Sequence, residues 1–166
     1  IIVHRYKHKD IRLLLIGKGP QKPLIMKLVK KFSIQDNVFL LGPLPRKRIA
    51  EYLSKASIFV FPSVKEGMPL SLLEALSSGL PAIGIATSGV KNLIIHGYNG
   101  LLVPTRDPKM IAEAILFLLN DKNLRLKMSK NAREYVVHNF SYQKILPDLE
   151  RLYAETIESY YKRERN

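Results

Sequence analysis

The sequence has 166 residues, of which 46% are hydrophobic and 25% charged, and this is the composition of one globular domain rather than of a disordered or fibrous chain. It contains no cysteine, which excludes a disulfide framework, a cysteine nucleophile and a cysteine-based metal site. The net charge of +13 leaves three classes of partner open: nucleic acid, an anionic membrane surface and a phosphorylated small substrate.

The apolar runs are short. Those at 11–16 and 82–86 are far below the length needed to cross a bilayer, and the first ten residues lack the apolar middle region of a signal peptide. We therefore expect a cytoplasmic protein without a membrane span.

Apolar runs rich in β-branched and aromatic residues alternate with amphipathic helical patterns at intervals of roughly 20–25 residues, the rhythm of βα units. Because these runs are almost continuously apolar, they predict a parallel sheet that is covered by helices on both faces. The predicted strands cover 13–16, 38–41, 57–61, 81–86 and 101–103.

The helical patterns lie between these strands and fill the chain after Asp107. Asp107 is a predicted N-cap with Pro108 in the first helical position, and Asn99-Gly100, reached through a weaker apolar segment at 90–95, is a tight-turn signal. The predicted helices cover 21–32, 46–56, 69–78, 107–119, 124–137 and 141–161.

We therefore predict a single doubly wound α/β domain over residues 1–166, with a helical C-terminal end. The chain opens directly ahead of a strand that has the pattern of an internal one. We expect a fragment, with at least one βα unit upstream of residue 1.

The helix that starts near Pro69 has the features of an anion site. Proline suits the first helical position, so the amides of Gly67, Met68, Leu70 and Ser71 should point forward from the helix start, past the end of a parallel strand. Gly67 allows a ligand to approach the backbone closely.

Two glutamates border this helix start. Glu74 lies on a polar stripe of the helix, where its carboxylate can accept hydrogen bonds from the two hydroxyls of a ribose, and Glu66 lies in the loop on the other side of the ligand. Either glutamate taken alone is more often explained by the helix dipole or by solvation. The combination with the proline-started helix favours a binding site.

The segment PSVKEGMPLSLLEALSSGLPAIG at 62–84 resembles the signature of the group 1 glycosyltransferases, retaining enzymes of the GT-B architecture, in which two glutamates flank seven residues. Further segments follow in the order that this family uses, so the resemblance covers essentially the whole chain. They are IGKGP at 16–20, VFLLGPLP at 38–45, YNGLLVPTRDP at 98–108 and NFSYQKI at 139–145.

The resemblance implies that the chain is the Rossmann-like, C-terminal half of a GT-B enzyme, which binds a nucleotide-diphosphate sugar. It implies that Glu66 lies near the donor sugar and the reacting centre, and that Glu74 binds the ribose. The other implied donor-binding residues are Gly67, Met68, Pro69 and Leu70 at the sugar and diphosphate, Gly42, Pro43 and Leu44 at the base, and Gly17 and Gly19 near the phosphates. For Gly17 and Gly19 an ordinary strand-to-helix turn is an equally good interpretation.

The family uses no bound metal or cofactor. Its acceptor, a glycan or a lipid-linked sugar, enters from the N-terminal domain of the same enzyme, so this half alone should bind donor and catalyse little. Two departures stand out: Asn92 occupies the position where the family commonly has an acid, and the phosphate-binding Arg and Lys belong to a first strand and helix that this chain lacks.

Two alternatives stay open. The chain could be a basic binding module, in which the segment 27–32 lies on an anionic membrane rather than serving as an ordinary cover helix; no motif predicts nucleic-acid binding. It could instead be an epimerase or a catalytically silent homologue. The histidines, which are scattered and predict no metal site, are His4, His8, His96 and His138, the last at a predicted helix end.

Overall fold

The computed structural model describes residues 2, 10–104 and 107–164. All the predicted strands form, each overlapping its apolar run. They are β1 (Leu13–Ile16), β2 (Val38–Gly42), β3 (Phe59–Phe61), β4 (Ala82–Ile85) and β5 (Gly100–Val103).

The predicted helices form as well, and the segment 90–95 contributes the end of a short additional helix and a turn in which Val90, Leu93 and Ile94 are buried. No helix among the described residues carries an apolar run long enough to span a bilayer. The helices are α1 (Lys22–Lys31), α2 (Arg46–Lys55), α3 (Leu70–Ser77), α4 (Ser88–Lys91), α5 (Pro108–Asn120), α6 (Lys122–Phe140) and α7 (Tyr142–Glu164).

All strand pairs are parallel, as predicted, and helices flank them in a Rossmann-like α/β arrangement. The single sheet that we expected is present as two: β1 pairs with β2, and β3, β4 and β5 form a second sheet with β4 at its centre. Every residue of β4 is buried. Within the described ranges β1 has no partner on its other side, and neither has β3.

The prediction that β1 is buried on both faces is wrong in this structure. Leu13 is 46% exposed and Leu14 is 38% exposed, and neighbouring residues of a strand face opposite sides of the sheet. The helix that follows, α1, has no buried residue. A strand paired along one edge only is left open on both faces near its free edge.

The core lies around α3, which packs against α6. Leu72 and Leu76 are fully buried, and each contributes about 1.5–3 kcal/mol through the burial of its side chain. At the C-terminal end of α3, Ser129 Oγ donates a hydrogen bond to the carbonyl of Gly79 at 2.6 Å, and Arg133 Nη1 donates one to the carbonyl of Ser77 at 2.5 Å. These contacts hold α3 by one face and one end.

The caps and turns follow the local chemistry of the sequence. Asp107 Oδ1 accepts a hydrogen bond from the amide of Lys109 at 2.9 Å, which confirms it as the N-cap of α5. The turn before β5 is also present, but Asn99 is fully buried and Gly97 is the residue with positive φ, at 80°. Asn99 acts through its side chain: Oδ1 accepts from the amide of Ile95 at 2.8 Å and Nδ2 donates to the carbonyl of Leu93 at 2.9 Å.

Candidate functional site

The start of α3 differs by one residue from the prediction. Pro69 is the N-cap, in an extended conformation with φ −75° and ψ 103°, and is not the first helical residue. Its carbonyl accepts hydrogen bonds from the amides of Leu72 and Leu73, both at 3.1 Å. The ring is buried, so Pro69 anchors the loop against the core while the helix begins at Leu70.

The amides around this helix start are open. Gly67, Met68, Leu70 and Ser71 are all exposed, and none of their amides has a hydrogen-bond partner within the part of the chain that the structure describes. The first turn of α3 also contains no acidic residue. Unpaired N–H groups at the positive end of a helix dipole are suited to bind an anion.

The loop that carries Glu66 is supported by the loop after the neighbouring strand. Ser63 Oγ donates to Glu66 Oε1 at 3.1 Å. Gly89, in α4, lies so close to the carbonyl oxygens of Glu66 and Gly67 that a methyl group there would overlap both. The sequence signal for this contact is a glycine after β4. That glycine can be related to Glu66 only once β4 is known to pair with β3.

Glu74 is exposed on α3, on the side opposite the buried leucines. Its carboxylate has no ion pair or hydrogen bond among the residues of known placement. The hydroxyls of Ser77 and Ser78 are turned back to the main-chain carbonyl of Glu74, at 2.8 and 2.9 Å. Among the described residues the Glu74 carboxylate is thus left free, whereas the hydroxyls of Ser77 and Ser78 are bonded to the main chain.

Glu74 lines a groove of about 220 Å³ between α2 and α3. Arg46, Ile49, Ala50 and Leu53 of α2 form the opposite wall. The sequence alone does not assign Arg46 to the site, because nothing local in α2 indicates which of its basic side chains faces α3.

Two of the predicted glycine turns meet at the carboxyl ends of β1 and β2. The amide of Gly17 donates to the carbonyl of Gly42 at 2.8 Å, and their φ angles, 126° and 71°, require glycine at both positions. Gly19 and Pro43 are exposed, and Leu44 is half-buried. The roles of these residues toward base and phosphates stay predictions.

Asn92 is exposed at the end of α4, and its main-chain carbonyl accepts a hydrogen bond from the Tyr135 hydroxyl at 3.0 Å. This bond ties the segment after α4 to α6. The side chain of Asn92 is left free to face solvent or a ligand.

The histidines do not gather. His96 Nδ1 accepts from the amide of Leu102 at 3.0 Å, and His138 lies in the last turn of α6, as predicted. His4 and His8 lie outside the described residues. No group of three or more His, Cys, Asp or Glu side chains that could hold a metal ion is found in the ranges 10–104 and 107–164.

A larger, open depression of about 790 Å³ lies where α6 meets α7. It contains none of the predicted site residues. Two of its polar side chains, Arg133 and Tyr135, already bond to the main chain of Ser77 and Asn92. Volume alone therefore does not locate the chemistry, and the α3 start with its adjoining groove is the better candidate site.

Comparisons with known proteins agree with this fold. The family model described as "Glycosyl transferases group 1" matches residues 2–135. N-acetyl-alpha-D-glucosaminyl L-malate synthase of Bacillus anthracis is 36% identical over 148 residues, which cover 89% of this chain and 38% of that protein.

Among solved structures, sucrose-phosphate synthase from Thermosynechococcus elongatus superposes with a TM-score of 0.82 at 32% identity, over 89% of this chain and 39% of that one. S. aureus TarM, in a complex with fondaparinux, alpha-GlcNAc-glycerol and UDP, has a TM-score of 0.82 at 27% identity, over 91% of this chain and 30% of that one. The chain thus spans less than half the length of each of these relatives.

Proposed function

Since this chain belongs to the group 1 glycosyltransferase family, we propose that it binds the donor of a retaining sugar transfer, a nucleotide-diphosphate sugar, at the start of α3. The observation that carries this proposal is the set of amides at Gly67, Met68, Leu70 and Ser71 that have no partner among the described residues, with an exposed glutamate on either side.

The geometry of α3 suits a nucleotide diphosphate. The diphosphate would bind at the amides, where the helix dipole favours negative charge. Glu74 follows Leu70 by four residues, or about 6 Å along the helix axis. A ribose next to the phosphates would then reach the carboxylate, which can accept hydrogen bonds from both of its hydroxyls.

The same amides explain how the site could assist the reaction. Departure of the nucleotide places growing negative charge on the diphosphate while positive charge develops at the anomeric carbon. Fixed N–H groups directed at the diphosphate stabilise that charge without reorganising. Glu66, held by Ser63, would lie near the sugar and the reacting centre.

We propose further that polypeptide outside these residues completes the sheet. In the doubly wound order β2-β1-β3-β4-β5, β1 and β3 would be hydrogen-bonded to each other. The order 3-2-1-4-5-6 has one more strand at the centre, between the strands that correspond to β1 and β3. Among the described residues β1 pairs only with β2 and β3 only with β4, and Leu13 and Leu14 are exposed. These open edges favour the second order, in which a further parallel strand lies between β1 and β3.

In this proposal the added strand and its helix bring the phosphate-binding Arg and Lys of the family, and an N-terminal domain brings the acceptor, a glycan or a lipid-linked sugar. The chain alone would then bind donor and transfer little. Sugar transfer to acceptor by the longer protein, followed by product analysis, distinguishes this function from that of an epimerase or a silent homologue. An epimerised donor or an unchanged one would overturn the transferase assignment.

Donor binding is tested directly by calorimetry with UDP, GDP and ADP sugars, beginning with UDP because TarM was solved with it. We expect one nucleotide class to bind. Glu74→Ala should weaken that binding about tenfold or more, the value of hydrogen bonds to a charged group. Glu134→Ala, an exposed glutamate on α6 paired with Lys130, is the matched control and should bind like the wild type. Equal binding by all three proteins would remove Glu74 from the ribose role.

Peripheral attachment to the cytoplasmic face of a membrane is a second proposal, which rests on α1. Leu24 and Leu28 of this helix are 51% and 41% exposed, and Lys27 and Lys31 lie beside them. An exposed apolar stripe flanked by lysines suits an anionic lipid surface. Co-sedimentation with anionic vesicles that is lost at high salt, and in Lys27→Glu, would support it; failure to bind such vesicles at low salt would exclude it.

A further inference from the structure

Arg46 is the first residue of α2 and lines the groove that Glu74 borders from α3. Its guanidinium has no ion pair or hydrogen bond with any residue whose placement is described. We infer that Arg46 is a nucleoside-binding residue, whose guanidinium stacks on the base of the donor while Glu74 holds the ribose. This inference rests on the proposed function of the α3 site.

Helix stability does not explain why an arginine occupies the first position of α2. A cation in the first turn of a helix opposes the dipole, and α2 has no acidic residue in that turn to offset it. Arg48, two residues later, shows how a basic side chain of this helix is accommodated. It bonds to Glu51 at 2.7 Å and lies over the ring of Tyr52, 5.9 Å from its centre. Arg46 has neither kind of contact with a residue that the structure describes.

The groove selects the nucleoside rather than the diphosphate. Ile49, Ala50 and Leu53 give it an apolar wall, and the hydroxyls of Ser77 and Ser78 are occupied by the main chain. Among the described side chains that line it, the guanidinium of Arg46 and the carboxylate of Glu74 are therefore the polar groups without a partner. A diphosphate would be repelled by Glu74, whereas a ribose and a planar base present hydroxyls and an apolar face.

The guanidinium suits a base because it is planar and weakly hydrated and stacks on aromatic faces. Stacking tolerates different bases, since each has a π face. Arg46 should therefore set affinity, while choice between bases is left to the loop Gly42-Pro43-Leu44 that precedes α2.

The test compares Arg46→Gln with Arg48→Gln, a substitution in the same helix turn but outside the groove. Binding of UDP, GDP, ADP and inorganic pyrophosphate to the full chain is measured by calorimetry, and thermal melts confirm folding. We expect Arg46→Gln to weaken the bound nucleotide about threefold to thirtyfold, the range of a cation–π contact, and to leave pyrophosphate binding unchanged. Arg48→Gln should match the wild type.

The outcomes separate this inference from the proposed function. Absence of nucleotide binding by the wild type overturns both. If Glu74→Ala weakens binding and Arg46→Gln does not, the donor site stands and the role of Arg46 is overturned. Equal weakening of nucleotide and pyrophosphate would assign Arg46 to phosphate instead. Arg46→Lys keeps the charge without the plane, so full affinity in that variant would also overturn stacking.

Discussion

Gly89 packs directly against the main-chain carbonyl of Glu66, so that α4, which follows β4, supports the loop after β3. The contact joins two segments that are distant in sequence and adjacent because their strands pair. It positions the turn from which both the glutamate and the open amides of α3 extend.

Gly89→Ala should therefore damage the site through its support. The added methyl overlaps backbone atoms, which cannot rotate away as a side chain can, so the loop must shift at a cost of about 1–3 kcal/mol. For a chain of this size we expect Tm to fall by roughly 2–4 °C per kcal/mol, together with at least a tenfold loss of donor affinity. Unchanged melting and binding would show that the two loops are not coupled.

Gly67→Ala gives the complementary prediction. No atom lies within 4 Å of the position that its Cβ would occupy, and its φ lies outside the left-handed region. The free energy of unfolding should change by no more than about 0.5 kcal/mol, as for an ordinary surface substitution, so Tm should hardly move. Donor binding should weaken because the methyl enters the ligand's space. Calorimetry and a thermal melt on the same sample test both parts. Donor binding equal to that of the wild type would place the ligand away from Gly67.

Asn99→Ala should destabilise the chain without touching the proposed ligand. The substitution leaves the buried carbonyl of Leu93 without its partner, at about 1–3 kcal/mol, and also removes the part-buried bond from the amide of Ile95. Urea unfolding should show a lower midpoint at an unchanged slope. Asn139→Ala, which removes an exposed bond to the carbonyl of Tyr135, is the control and should change stability by less than about 0.5 kcal/mol. Equal midpoints for the two variants would contradict the structural role of Asn99.

Ser129→Ala tests whether α6 holds the end of α3. It removes the 2.6 Å hydrogen bond to the carbonyl of Gly79 and should cost about 1 kcal/mol. Amide exchange in α3 should quicken if this bond limits local opening. Ser159→Ala, in which an exposed hydroxyl bonded within α7 is lost, should leave exchange in α3 unchanged. Unchanged exchange in Ser129→Ala would assign the rigidity of α3 to its buried leucines, and equally faster exchange in Ser159→Ala would show that the effect is not specific to the Ser129 bond.

The alternation of strands and helices, the parallel direction of the strands and the N-cap at Asp107 could all be predicted from the sequence. These features depend on apolar periodicity and on hydrogen bonds between residues a few positions apart. The same local reasoning predicted that Glu74 would lie on a polar stripe of the helix, and in the structure Glu74 is exposed on α3 while Leu72 and Leu76 are buried. Pro69 was misassigned by one position, a common uncertainty at helix ends.

The sequence by itself therefore determined which segments are strands and helices, and that α3 opens with free amides beside a glutamate, because propensity, periodicity and capping act over a single turn. Only the tertiary structure decided that Gly89 supports Glu66, that Arg46 rather than Arg48 faces the groove with Glu74, and that Leu13 and Leu14 remain exposed on β1. Those relationships depend on which strand edges pair and how helices from separate βα units pack, and such long-range contacts have no signature within one segment.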